Sequence, residues 1–95
     1  MYTHYVTWNF VENIDKEAVF NEVKTSLESL KNEIEGIIEI SFIRTNEQST
    51  CDVVLLSTFT SVDTYKAYAI HPSHVKVAEF VKQNFTNRNV IDFTK

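Results

Sequence analysis

The chain has 95 residues, a length typical of one small domain, and we expect a single domain over residues 1–95. Apolar residues make up 43% of the chain and charged residues 23%, a composition that excludes a disordered protein. Nine basic against 13 acidic residues give a net charge of −4, which argues against a nucleic-acid partner. A single glycine excludes a glycine-rich loop for nucleotide phosphates.

Signals for export or membrane insertion are absent from the sequence. No apolar run approaches the roughly 18–20 residues that cross a bilayer, and the first residues lack the basic and apolar stretches of a signal peptide. Cys51 is the only cysteine, so no disulfide forms within the chain, and we interpret it as a small residue at the start of a strand. We therefore expect a cytoplasmic protein with no membrane partner.

The first half of the chain predicts a strand, a helix and a second strand. Residues 2–11 alternate between apolar and polar side chains with a period of two, which is typical of a strand. Asp15 is suited to cap a helix, and Gly36 to end it in a left-handed conformation. The apolar stripe of this helix comprises Val19, Val23, Leu27, Leu30 and Ile34. Residues 37–44 are rich in β-branched side chains and predict the second strand.

The second half predicts a third strand, a helix interrupted by proline, and a last short strand. Residues 52–59 form a nearly continuous apolar run of strand length. The following helix can be capped by Thr60 or Ser61, and Pro72 suits the first turn of a renewed helix. Residues 87–93 predict a turn at Asn-Arg-Asn and then a strand at Val-Ile-Asp-Phe.

The resulting order, β-α-β-β-α-β, predicts an α+β ferredoxin-like fold, with a four-stranded antiparallel sheet and helices on one face. If Val53 and Leu55 point to the helices, the opposite face of the sheet is left without cover. Its apolar side chains are Tyr5, Val54, Leu56, Ile91 and Phe93. A patch of this size exceeds what soluble monomers usually expose, so we expect a homodimer that pairs the two bare sheet faces.

The most distinctive segment is Tyr-Ala-Ile-His-Pro-Ser-His-Val at residues 68–75. Together with His4, Phe59, residues 61–62 and the Val-Ile-Asp-Phe sequence at 90–93, it resembles the stress-responsive dimeric α/β-barrel family over essentially the whole chain. The resemblance implies a ferredoxin-like subunit and a dimeric α/β barrel in which two sheets pack face to face. The family includes plant stress proteins, bacterial proteins of unassigned role and some cofactor-free polyketide cyclases.

In those cyclases a cavity between sheet and helices holds the substrate, and the resemblance implies that its polar groups here are His4, Tyr68 and His74. His74 would act as general base, because an imidazole titrates near about 6.5. Tyr68 would donate its hydroxyl to a developing enolate, and His4 would orient one of the two. A helix tyrosine and a strand histidine of the cyclases are replaced by Leu27 and Val53, which makes the expected cavity less polar.

The rest of the expected cavity wall is apolar, as in most small-molecule pockets. The expected ligand contacts are Val6, Trp8, Val23, Leu27, Leu55, His71, Val77, Phe80, Phe85 and Val90. His71 and His74 are spaced to share one helical face, but no cysteine or carboxylate completes a ligand set, so we expect neither metal nor cofactor. Asp92 is interpreted as a hydrogen-bonding group at the barrel edge. Arg88 is interpreted as a solvated turn residue, the alternative being an anion contact at the cavity mouth.

Three functions remain open from the sequence. The first is a homodimer that binds a small, largely apolar or carbonyl-bearing molecule. The second is a cofactor-independent cyclase or isomerase that uses His4, Tyr68 and His74. The third is a structural stress protein without a ligand, in which these three residues form a hydrogen-bonded network holding the break at Pro72 against the sheet. A sizeable cavity beside the three residues favours the first two, whereas a solidly packed interior favours the third.

Overall fold

The computed structural model describes all residues from Met1 to Lys95. The elements in chain order are β1 (Tyr2–Phe10), α1 (Lys16–Glu33), β2 (Ile37–Arg44), β3 (Val53–Phe59), α2 (Val62–Ile70), α3 (Pro72–Asn84) and β4 (Phe85–Thr94). The strands form one antiparallel sheet in the order β2-β3-β1-β4. The predicted ferredoxin-like α+β fold is therefore confirmed, with the second helical segment divided into α2 and α3.

Local sequence signals set the ends of the helices. The Asp15 carboxylate accepts a hydrogen bond from the Ala18 N–H at 3.1 Å and so caps α1. Gly36 follows the helix with a φ of 93°, the left-handed region that residues with a Cβ avoid. Ser61 caps α2 and forms a reciprocal capping box with Thr64. These ends were predictable because each depends on residues within one helical turn.

The last strand differs from the prediction. Residues 87–89, predicted as a turn, lie inside β4, which already begins at Phe85. The pairing of β4 with β1 shifts between Thr7 and Asn9, where two residues of β4 stand opposite a single residue of β1. Asn87, one of the two, has a φ of 55°, which asparagine tolerates better than most residues. The turn-forming residues thus mark a β-bulge within the strand.

The helices cover one face of the sheet, and the core lies between the two layers. Val53 and Leu55 of β3 are buried on the covered face, as the strand alternation predicts. On the opposite face Ile91 and Phe93 are 55% and 41% exposed, and the Phe93 ring packs edge-on against Tyr5. None of the helices has the length and hydropathy needed to cross a membrane.

The edge strand β2 is joined to α1 by side-chain hydrogen bonds. Lys24 Nζ donates to Glu28 Oε2 at 2.7 Å and to the Phe42 carbonyl at 3.1 Å. Glu28 Oε2 also accepts from the Phe42 N–H at 3.0 Å. Both backbone groups of Phe42 on this edge are therefore satisfied, which protects the edge against pairing with another strand.

Candidate ligand-binding site

A cavity of about 430 Å³ lies on the covered side of the sheet, beneath α2 and α3. This volume is within the range of small-molecule pockets, and most of the wall is apolar. His4, Tyr68 and His74, the three predicted polar residues, all line it. Of the predicted ligand contacts, the wall includes Val6, Trp8, Leu27, Leu55 and Phe85.

Three further predicted contacts lie in the packed part of the interior. Val23 and Val77 are buried in the core, and Phe80 packs against it. Val77 and Phe80 also line a shallow groove between α1 and α3, away from the cavity. They share helical stripes with residues that face the interior, but a stripe predicts only burial and not which part of the interior a residue faces.

His71 and Val90, the remaining predicted contacts, also lie outside the cavity wall. His71 is the N-cap of α3, where its Nδ1 accepts from the Ser73 N–H at 3.1 Å. This bond agrees with the capping role of the residue before Pro72. Val90 pairs with Val6 across the strands but is 39% exposed on the outermost strand of the sheet.

His4 is held by a carboxylate from the neighbouring strand. The register of β1 and β4 places Asp92 directly opposite, and His4 Nδ1 lies 2.5 Å from Asp92 Oδ1. The family resemblance implied that His4 orients Tyr68 or His74, but the hydrogen bond of its imidazole is made to Asp92. Burial lowers the pKa of His4, and the Asp92 contact opposes that shift. The carboxylate orients the ring and stabilises Nδ1–H, as expected of a group that positions a histidine.

His74 has one ring nitrogen engaged by the backbone. Its Nδ1 lies 3.1 Å from the Ala69 carbonyl oxygen, an atom that only accepts, so Nδ1 donates. In the neutral ring Nε2 is then left as an unprotonated acceptor. Burial is the largest influence on the pKa of His74 and lowers it, although the bond to Ala69 opposes the shift. The neutral form, which is able to accept a proton, is therefore favoured.

Tyr68 is the most deeply buried polar residue of the site. It is only 1% exposed, and its ring centroid lies 4.2 Å from that of His74. Its hydroxyl is the only buried side-chain polar atom that has no hydrogen-bond partner. Burial also raises the pKa of Tyr68, so the hydroxyl keeps its proton and remains a donor. An unsatisfied buried hydroxyl costs about 1–3 kcal/mol, which an acceptor on a ligand can recover.

Sequence reasoning missed Tyr65, which lines the cavity and packs on His4 with ring centroids 4.6 Å apart. Its position three residues before Tyr68 on a helix was a usable signal, because side chains at that spacing share a face. Arg88, interpreted as a solvated turn residue, also lines the cavity, together with Lys82 from α3. The β-bulge responsible for the position of Arg88 depends on strand pairing, which no local pattern reveals.

The fold can be compared with solved structures. A dimeric ferredoxin-like protein of unknown function from Bacteroides fragilis is 26% identical, with a TM-score of 0.89 over 99% of this chain and 95% of that chain. A dimeric ferredoxin-like protein of unknown function from Jannaschia is 22% identical, with a TM-score of 0.85 over 99% and 98%. Hydroxynitrile lyase from Passiflora edulis is 12% identical and shares the fold, with a TM-score of 0.79 over 97% and 91%.

None of the curated proteins matches the sequence significantly. The family model described as "Stress responsive A/B Barrel Domain" matches residues 2–95, nearly the entire chain. The match agrees with the resemblance carried by the segment at 68–75 and by His4, of which Tyr68, His74 and His4 line one cavity. This chain is therefore a member of the stress-responsive A/B barrel domain family.

Proposed function

We propose that the protein is a homodimer that binds a small, largely apolar molecule with a carbonyl group in the cavity between sheet and helices. The observation that carries this proposal is the buried Tyr68 hydroxyl, a donor without a partner, which belongs to a residue that lines a cavity of about 430 Å³. A carbonyl oxygen on the ligand would supply the missing acceptor. The surrounding wall, including Trp8 and Leu55, would bury the apolar part of the same molecule.

The bare face of the sheet supports the homodimer. Ile91 and Phe93 remain exposed there, next to the half-buried side chains of Tyr5, Val54 and Leu56. A second copy would cover this patch with an identical one, and the similar proteins from Bacteroides fragilis and Jannaschia are described as dimeric. Sedimentation should show a dimer at micromolar concentration and a monomer for Ile91→Asp, while Glu12→Gln, a charge change outside the sheet face, stays dimeric. A monomeric native protein would refute the homodimer.

Ligand binding can be followed through Trp8, since it is the only tryptophan and lines the cavity. Acetophenone, an aromatic ketone, should shift the Trp8 indole N–H resonance on titration. Loss of the single hydroxyl in Tyr68→Phe should weaken binding by about three- to tenfold, the usual value of one hydrogen bond. Tyr5→Phe removes the same atom from the bare face and serves as control. An unchanged Trp8 resonance, for acetophenone and for larger ketones, would contradict the proposal.

Catalysis at the same site is the second candidate, favoured by the free Nε2 of His74 and by the packing of the His74 ring on that of Tyr68. His74 would remove a proton from the carbon next to the ligand carbonyl, and the electrons of the broken C–H bond would pass to the oxygen. Tyr68 would stabilise the resulting enolate by hydrogen bonding. Return of the proton at another carbon gives an isomerase, and attack of the enolate carbon on a second carbonyl gives a cyclase.

Exchange of protons for deuterium in D2O tests this step without knowledge of the natural substrate. The protein should accelerate exchange at the methyl group of acetophenone. His74→Gln and Tyr68→Phe should each lower the protein-dependent rate by at least about a hundredfold, a typical contribution of general-base and oxyanion groups. The control variant Tyr5→Phe should retain the protein-dependent exchange rate. Binding without accelerated exchange would support a ligand-binding protein and reject this enzymatic step.

A further inference from the structure

The cavity mouth carries two cationic side chains without carboxylate partners. Lys82 at the end of α3 and Arg88 in β4 both line the cavity and are exposed at its opening. The carboxylates that contact basic side chains do so elsewhere, Asp92 with the His4 imidazole and Glu28 with the Lys24 ammonium group. No aspartate or glutamate lines the cavity, although acidic residues outnumber basic ones 13 to 9 in the chain. The opening is thus a positive region on an acidic protein.

The β-bulge explains how β4 supplies both an apolar and a cationic group to this wall. Phe85 and Arg88 are three positions apart, so in a regular strand their side chains would point to opposite faces of the sheet. Two residues of β4 oppose one of β1 between the pairs Thr7–Asn89 and Asn9–Thr86, which shifts the alternation by one. Phe85 and Arg88 therefore both border the cavity.

We infer that the ligand carries a carboxylate, which Arg88 and Lys82 bind at the cavity mouth while its apolar body lies against Trp8 and Leu55. The inference rests on the proposed function, since it concerns a ligand of the same cavity. A guanidinium offers planar paired donors that suit a carboxylate, and a lysine adds a second positive charge. Asp92, an acidic group on the same strand, is engaged by His4, and no carboxylate is paired with Arg88.

Two compounds that differ only in charge test the inference: 4-phenylbutanoate and its amide, 4-phenylbutanamide. Binding is measured by calorimetry at about pH 8, where both cavity imidazoles are neutral. A preference for the acid at this pH therefore reports on Arg88 and Lys82. The native protein should bind the acid about tenfold more tightly than the amide. Arg88→Gln and Lys82→Gln should each reduce this ratio severalfold, whereas Arg88→Lys should keep most of it. Lys66→Gln removes one exposed charge from α2, away from the cavity, and should leave the ratio unchanged.

The outcomes separate the inference from the proposed function. Equal affinities for acid and amide, with a shift of the Trp8 resonance for both, would overturn the carboxylate inference and leave the cavity as a binding site. A preference for the acid that survives in both Arg88→Gln and Lys82→Gln would also overturn it. If neither compound binds and acetophenone leaves Trp8 unshifted, both the inference and the proposed function fail.

Discussion

Phe42 and Tyr68 are two aromatic residues buried to nearly the same degree beneath the helices, and we refer to their surroundings as the packed end and the cavity end of this layer. Phe42, which is fully buried, stacks on Phe20 with centroids 5.3 Å apart, and its backbone is bonded to side chains of α1. Tyr68, 1% exposed, packs on Phe59 and His74, but its hydroxyl has no partner and it borders a cavity. Burial alone does not distinguish core from site, whereas unmet hydrogen-bonding capacity does.

The largest effect is expected at the packed end. Phe42→Ala should lower the free energy of unfolding by about 3–5 kcal/mol, because it removes a fully buried ring from a close-packed region. Chemical denaturation followed by circular dichroism measures the change. Phe20→Ala removes the half-buried ring that stacks on Phe42, and it should lower the free energy of unfolding by less than Phe42→Ala does. A loss below about 1 kcal/mol for Phe42→Ala would mean that this end is not the rigid part of the interior.

A smaller effect, on pH dependence, is expected at the cavity end, which holds His4 and His74. Burial lowers the pKa of His74 in the native state, whereas in the unfolded chain the ring titrates near about 6.5. As the pH falls below that value the unfolded state binds a proton that the native state excludes, so the free energy of unfolding should decrease. At pH values above about 6.5 the ring is neutral in both states, and the stabilisation that depends on neutral His74 is complete.

Denaturation at pH values from about 7.5 to 5.5 brackets the ordinary titration range of histidine and measures this effect. His74→Gln should show a smaller loss of stability toward acid than the native protein. Phe42→Leu, a change at the packed end, should keep the native slope even though its absolute stability is lower. An identical slope in His74→Gln would assign the pH dependence to other groups.

The smallest effect on stability is expected for Tyr68→Phe. The substitution removes a hydroxyl that makes no hydrogen bond and keeps the ring that packs on Phe59. We expect the free energy of unfolding to change by less than about 1 kcal/mol, or to increase, because a buried unsatisfied polar group is lost. A marked destabilisation in the same denaturation experiment would show that the hydroxyl has a structural partner, and the contrast with Phe42 would disappear.

Two residues of one helical stripe show how much of the site could be predicted from the sequence. Val23 and Leu27 are four residues apart on α1 and both were predicted to face the interior, as they do. Leu27 lines the cavity, whereas Val23 lies within the solid core. Helical periodicity predicts which side of a helix is buried. Whether a buried residue meets solid core or a cavity depends on the side chains that pack against it from other elements.

The sequence by itself determined the element order, the helix ends at Asp15 and Gly36, and the covered and bare faces of the sheet. These features follow from capping, from positive φ and from side-chain periodicity, all of which act over a few residues. Only the tertiary structure decided that Asp92, 88 residues away, binds His4 and that a bulge brings Arg88 to the cavity. Strand register and bulges arise from pairing between distant segments, and that pairing is where the local pattern ceases to be informative.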